Sequence, residues 1–282
     1  MIPTIPRNRT VDIFYNIYII VFFVYLALPL VIVAIFAFND SQFPSLPWQG
    51  FTTDWFFGDT QPKVGVFKEK SILSAIGTSI IVGICVSLLA VFVGCTNAFL
   101  FNRYVFRGRS VLYVFMILPL VIPGIVLGIS ILVFSSYIAN IAWDAVEWDL
   151  LALRPGLTLV VLGQFSFITT IATLVISARL KSFDRSLEEA ALNLGANQIT
   201  AVWTVTLPYL APAMVGAFVV SFLMSFENFN TTLMLVGSDA PLTITMFDRL
   251  KEGSTPLLNA VSLVLMIGSS LLALVMIAFQ RR

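Results

Sequence analysis

Residues 186–208 read SLEEAALNLGANQITAVWTVTLP, a polar island in a chain that is otherwise mostly apolar. Ser186-x-x-Glu189 has the spacing of a capping box, in which each side chain satisfies a backbone N–H at a helix start. Glu188 and Glu189 also bring negative charge to the first turn, where the helix dipole favours it. The helical run Leu187 to Leu194 then meets Gly195, the residue best able to adopt the left-handed conformation that ends a helix. A second helical run, Asn197 to Thr204, leads to Pro208. The segment predicts helix, sharp turn, helix and entry into an apolar span. Ala190 and Ala191 leave room for close approach of a partner, and Gly195 sets the angle between the two helices.

The chain around it has 282 residues, of which 59% are hydrophobic and 11% charged. Its mean hydropathy is +0.96. A water-soluble domain carries about 25% charged residues, so water is the wrong solvent for most of this polypeptide. The net charge of +1 gives no reason to expect nucleic acid or an acidic macromolecule as partner. There is no His, and the two cysteines, Cys85 and Cys95, share one apolar stretch without metal-ligand spacing. Zinc sites and Ser-His or Cys-His catalysis are set aside, no metal is expected, and the cysteines read as helix-packing residues.

Apolar stretches long enough to cross a ~30 Å hydrocarbon layer, free of charge except for Glu227 in the fifth, predict six spans, at 14–38, 73–98, 111–134, 157–178, 209–235 and 257–279. The first exceeds a signal-peptide core and has no Ala-x-Ala cleavage site after it, so it is expected to be retained. With a cytoplasmic N-terminus, ten basic residues lie inside (Arg7, Arg9, Arg103, Arg107, Arg109, Arg179, Lys181, Arg185, Arg281, Arg282). Six lie outside (Lys63, Lys68, Lys70, Arg154, Arg249, Lys251). The positive-inside rule therefore places both termini, and segment 186–208, in the cytoplasm. The longest outer loop, 39–70, is broken by Pro44, Pro47, Gly50, Gly58 and Pro62, with Trp48 and Trp55 suited to a membrane interface. A second outer loop, 135–154, carries Trp143 and Trp148 among Asp144, Glu147 and Asp149. The third, 237–256, has room for a short helix around Thr245 to Glu252. These acidic, aromatic loops are candidate partner surfaces. No repeat, low-complexity tract or linker divides the chain, which reads as a single membrane domain, 1–282.

One acid falls at membrane depth, Glu227. A carboxylate there costs several kcal/mol unless paired or hydrated, so it reads as facing a polar cavity. As a helix, the fifth span would put Met224, Asn228 and Thr231 beside it, with Ser225 close by. The other reading is that Glu227 and Asn228 bond a neighbouring helix, as polar residues in membranes do. Pro119 and Pro123-Gly124 can break or kink the third span, and carbonyls freed beside a cavity commonly bind transport substrates. In the fourth span Gln164 and Thr169 are further candidates for the path.

Glu189-Ala190-Ala191, then Gly195, Val205 and Leu207-Pro208, resemble the EAA loop of ABC-importer permeases, with Val205 where members usually have Ile. Phe38-Asn39-Asp40-Ser41, the Trp48–Trp55 stretch, Leu118 to Pro123, Ile176 to Leu180 and Asn259-Ala260 resemble, in order, the spermidine/putrescine branch. The resemblance implies an all-α type I importer permease fold, six transmembrane helices and a cytoplasmic coupling helix. It assigns ATPase coupling to Glu188, Glu189, Ala190, Ala191, Gly195, Ala196, Leu207 and Pro208. It also implies a bacterial inner-membrane location, a second permease chain, two ATP-binding subunits and a periplasmic or extracellular solute-binding protein. No G-x-x-x-x-G-K-[ST] phosphate loop occurs in the chain, so ATP and Mg belong on separate subunits and this chain is not expected to be an enzyme. Polyamine permeases tend to carry acids where this chain has Gly124 and Asn228. The expected cargo is therefore a small organic solute, polyamine-like or otherwise cationic or zwitterionic. A secondary transporter or channel using Glu227 as a proton or cation site is the alternative, and it leaves segment 186–208 without a purpose.

Overall fold

An apolar stretch in a bilayer must close its backbone hydrogen bonds within itself, and the chain is helical almost throughout. The computed structural model describes residues 9–44, 46–61, 63–253 and 255–280. Arg7, Arg281 and Arg282, used in the orientation count, and Pro62, used for the first loop, lie outside them. The elements are α1 (Arg9–Phe36), α2 (Asp54–Phe57), the strands β1 (Asp59–Thr60) and β2 (Lys63–Val64), α3 (Lys70–Arg103), α4 (Arg109–Val121), α5 (Gly124–Val146) and α6 (Leu157–Lys181). After them come α7 (Ser186–Asn193), α8 (Gln198–Ala201), a π turn (Val202–Thr206), α9 (Leu207–Phe226), α10 (Asn230–Leu235), α11 (Leu242–Glu252) and α12 (Pro256–Gln280). Among the described residues, six stretches are long and apolar enough to cross a membrane: Arg9–Phe36, Lys70–Arg103, Gly124–Ala145, Leu157–Lys181, Gln198–Phe226 and Pro256–Met276.

Two of these differ from the sequence-based spans. The third was expected over 111–134, but the chain breaks at Ile122–Pro123 and the long helix runs from Gly124. Pro123 forces the extended backbone seen at Ile122 (φ −76°, ψ 130°), whereas Pro119 is absorbed inside α4. Because α5 continues to Val146, Trp143 and Asp144 are helical, and the loop expected over 135–154 starts only after that helix. The fifth span starts early, at Gln198, and stops at Phe226 instead of running over 209–235. Pro208 lacks an N–H. The π turn before it, where Leu207 N–H bonds to the Val202 carbonyl five residues back, carries the helix through without an end.

The chain forms two compact units. The first takes in residues up to Lys70 with Arg249–Gly268. In it Phe38 stacks on Phe51 and packs on Phe56, and Asp40 N–H bonds to the Gly50 carbonyl at 2.9 Å. Trp55 is not an interface residue as expected. It is buried, with its indole N–H on the Asn39 carbonyl at 2.9 Å.

The second unit, Ser71–Asp248 with the chain beyond Ser269, has α6 as its spine. Ile168, Ala172 and Ile176 are fully buried against Val86 and Ala90 of α3 and Ala217 of α9. Cys95 lies in this core, but Cys85 faces outward, so packing within the chain accounts for one cysteine only. The helix expected at 245–252 starts three residues earlier, because Ser79 of α3 accepts the Leu242 N–H at 2.8 Å and so caps α11.

Gly94 sets how closely α3 meets α6: a Cβ there would sit 2.9 Å from the Ala172 Cβ and 3.0 Å from the Thr173 nitrogen. Gly94→Val should therefore destabilise the bundle by about 1–3 kcal/mol. Gly77→Ala, where a Cβ meets nothing within 4 Å, should leave stability unchanged or slightly raised. Thermal unfolding of the two variants in detergent tests this, and equal midpoints would contradict the close-contact reading.

Candidate functional site

Two sites emerge, both in the second unit, and each corrects a detail read from the sequence. At the first, α6 ends at Lys181 and α7 begins at Ser186. The capping box does not form. Ser186 is already the first helical residue, Arg185 occupies the cap position without a capping bond from its side chain, and Asp184 Oδ1 accepts the Ser186 N–H at 2.9 Å. That bond from the Ser186 backbone, with its hydroxyl second, holds the Asp184 carboxyl below the usual carboxylate range.

The exit from α7 is as expected. Gly195 has φ +92°, Ala196 N–H bonds to the Ala191 carbonyl at 3.1 Å, and Gly195 N–H bonds to Leu192 at 2.9 Å. Together these make a Schellman motif. Asn197 then caps α8, its Oδ1 accepting the Thr200 N–H at 2.8 Å. The second helical run is correspondingly short and passes through the π turn into α9 with Leu207 and Pro208 at the junction.

Glu188 ties this segment to the bundle. Both of its carboxylate oxygens accept from the Arg103 guanidinium at the end of α3, each at 2.8 Å. Thr206, in the π turn, donates its hydroxyl to Glu188 Oε1. Arg103 also lies 5.5 Å over the Phe183 ring. The pair is largely withdrawn from solvent, at 15% and 18% side-chain exposure. Glu189 and Ala190 face outward, while Ala191 and Ala196 are half-buried. Around them Leu187, Leu192, Leu194, Ile199 and Trp203 are exposed, Leu194 at 90% and Ile199 at 71%.

The second site is the break between α9 and α10. Glu227 is the C-cap of α9, its N–H on the Leu223 carbonyl at 3.0 Å, so it does not sit mid-helix with Asn228 and Thr231 a turn away. Its side chain is exposed and has no hydrogen bond or ion pair among the described residues. The other polar groups gather beneath it. Gln164 of α6, 1% exposed, donates to Thr232 Oγ1 at 2.8 Å and accepts the Ser225 hydroxyl. Thr232 donates to Asn228 Oδ1 at 2.9 Å, and Thr243 of α11 donates to the Asn228 carbonyl at 3.1 Å. Thr231 reaches the Gly124 carbonyl at 3.3 Å. A Cβ on Gly124 would lie 3.1 Å from the Asn230 Cβ, so the two helix breaks abut. Met224 packs on the core. Thr169 back-bonds to the Phe165 carbonyl at 2.7 Å. Together with Pro119 it lines a separate cavity of about 400 Å³ between α3, α4 and α6.

Residues 87–282 match the family described as "Binding-protein-dependent transport system inner membrane component". The chain belongs to that family. This permease is 28% identical to the putrescine transport system permease protein PotI of Escherichia coli (strain K12), over 86% of this chain and 82% of PotI. It is 28% identical to the spermidine/putrescine permease PotC of the same strain, over 90% and 88%. It is also 27% identical to the sulfate permease CysT of Salmonella typhimurium, over 79% of each chain. The fold is similar to a crystal structure of a bacterial ABC transporter that imports alginate, at TM-score 0.73 and 18% identity, covering 97% and 95%. The importer-permease fold and its polyamine-branch relatives agree with the resemblance, and the EAA segment is a feature of the family.

The permease thus carries its EAA segment on a three-way tie to Arg103, which the sequence marks only as an inside charge, and to Thr206, which it does not mark. The residues are separated by 85 and 18 positions from Glu188, and no local pattern joins them. Arg103→Gln should loosen α7 while leaving the spans intact. Limited proteolysis at the exposed 192–199 turn should speed up several-fold, with unchanged melting of the bundle. Cleavage at the wild-type rate would show the tie to be dispensable.

Proposed function

We propose that this permease is one membrane-spanning subunit of an ATP-driven importer for a small cationic or zwitterionic organic solute, with polyamine as the leading candidate. The observation that carries this is the EAA segment itself: an outward apolar surface on a rigidly capped helix–turn–helix, held to α3 and α9 through Glu188. Such a surface fits a cleft on a separate ATPase subunit, which supplies ATP and Mg. The solute follows the neighbourhood of the paired helix breaks, where Glu227, unpaired among the described residues, stands beside Asn228, Ser225 and Thr231, with Pro123, Gly124 and Gln164 further along.

On this reading both termini and α7–α8 are cytoplasmic, and the protein lies in a bacterial inner membrane. A second permease, similar but not necessarily identical, completes the path. One solved relative of similar fold is in complex with an alginate-bound periplasmic protein. A solute-binding protein is the expected donor here too. Closure of two ATPases draws the α7–α8 segments together, and packed helices moving as bodies open the path outward.

Transport by the reconstituted complex tests this. Uptake should stop on withdrawal of ATP even with the proton gradient intact; uptake that follows the gradient alone would favour a secondary transporter. Gly195 has φ +92° and open space around it, so Gly195→Val is strained by backbone conformation and not by a clash. It should assemble but lose most solute-stimulated ATP hydrolysis, and normal uptake by this variant would contradict the coupling role.

Glu227→Gln should raise the apparent KM for a cationic solute about tenfold, the scale of one charge contact of ~1.4 kcal/mol. An unchanged KM would remove Glu227 from the path.

A further inference from the structure

We propose that a cavity in the second unit is a binding site for the phosphate headgroup of an anionic phospholipid. The cavity, of about 780 Å³, lies between the last turns of α3 and α6 and the first turns of α4. That is the end of the bundle from which α7 departs. Two cations line it, Arg109 and Lys181, and among the described residues no acidic side chain does.

Arg103, Arg154, Arg249, Lys63 and Lys68 each have a carboxylate partner. Arg109 has only the Phe101 carbonyl, which it reaches through Nη2, and neither Arg109 nor Lys181 has an acidic partner among the described residues. Arg109 is also the first residue of α4, whose first turn contains no acid. A cation at a helix N-terminus opposes the dipole, and the first-turn N–H groups there lack intrahelical acceptors. The Arg109 N–H is met by the Phe106 carbonyl at 3.3 Å, and an anion at the cavity mouth would offset the unfavourable charge and face the rest of the turn. Ser110 and Tyr113 of α4 and Ser177 of α6 add hydroxyls to the same lining.

The polarity is graded along the helices. Lys181 and Arg109 are the terminal residues of α6 and α4, and Leu174 and Val114 line the cavity further into the spans. A charged headgroup at the rim with apolar chain below matches that gradient, whereas free inorganic phosphate would use only the rim. Basic pockets between membrane helices are known to take anionic headgroups in this way.

The test uses the assembled transporter, purified in mild detergent after reconstitution into membranes of phosphatidylcholine and phosphatidylglycerol. Retained lipid is counted by native mass spectrometry without ATP or solute, so the outcome does not depend on the transport reading or on membrane orientation. Phosphatidylglycerol should be retained in preference to phosphatidylcholine. Lys181→Gln, a change at an exposed helix end, should lower that retention about fivefold, and Arg109→Gln with Lys181→Gln about 25-fold. Arg109→Lys should keep most of it, and Arg107→Gln, a cation that does not line the cavity, should change nothing. Equal retention in wild type and the double variant would overturn the site. So would an equal loss with Arg107→Gln, which indicates diffuse attraction, or the absence of phosphatidylglycerol from wild type, which indicates a site covered by a neighbouring subunit. Displacement by millimolar inorganic phosphate would assign the site to the free anion and overturn the lipid.

Discussion

A peptide group without a partner cannot be left in hydrocarbon, and this chain interrupts its helices twice where it should not be able to. The interruptions at Ile122–Pro123 and at 227–229 are stable because side chains fill the gaps. Gln164 is the centre of that repair. With one amide it holds Ser225 before the second break and Thr232 after it, and Asn228 closes the loop by accepting from Thr232. Bonds of this kind in membrane proteins are individually worth about 1 kcal/mol. Their value here is geometric, because they hold α9 and α10 at a fixed break against the start of α5.

The same helix connects the two sites. Gln164 sits near the start of α6, and the segment leading to Glu188 leaves from its end. Between them Ile168, Ala172 and Ile176 are fully buried, so α6 cannot shift without carrying α3 and α9 with it. A push on α7 therefore reaches the bundle at more than one place. It passes along the chain through α6, through Glu188–Arg103 into α3, and through Thr206 into α9. On the proposed coupling, displacement at the EAA segment would pass into rigid-body motion of the bundle and not into a local bend.

Periodicity and composition made most of the fold legible. Long apolar stretches gave six spans, and four of them, 14–38, 73–98, 157–178 and 257–279, overlap the observed helices closely. Gly195 could be read because a left-handed position has a residue type that marks it. Pro123 announced its break for the same reason. The break at 227–229 has no glycine or proline. It depends on Gln164, more than sixty residues away, and no window of local sequence contains that information. The capping box failed for a smaller reason. Asp184 lies two residues before Ser186 and captures the same N–H first, so the helix begins one position earlier than the Ser-x-x-Glu spacing implies.

Glu188 and Glu189 show what sequence adjacency conceals. Both are acids in the first turn of α7, and the dipole favours each equally. Yet successive helical residues point about 100° apart, so one can face the bundle while the next faces away. Glu188 is committed to Arg103 and Thr206, a part-buried, charge-assisted arrangement that loses much if any member is removed. Glu189 has no such duty and stands exposed beside Leu187 and Leu192. A docking surface needs both kinds of residue. On the proposed docking, the fixed acid would keep α7 from rolling under load, and Glu189 would be available to a basic group of the partner.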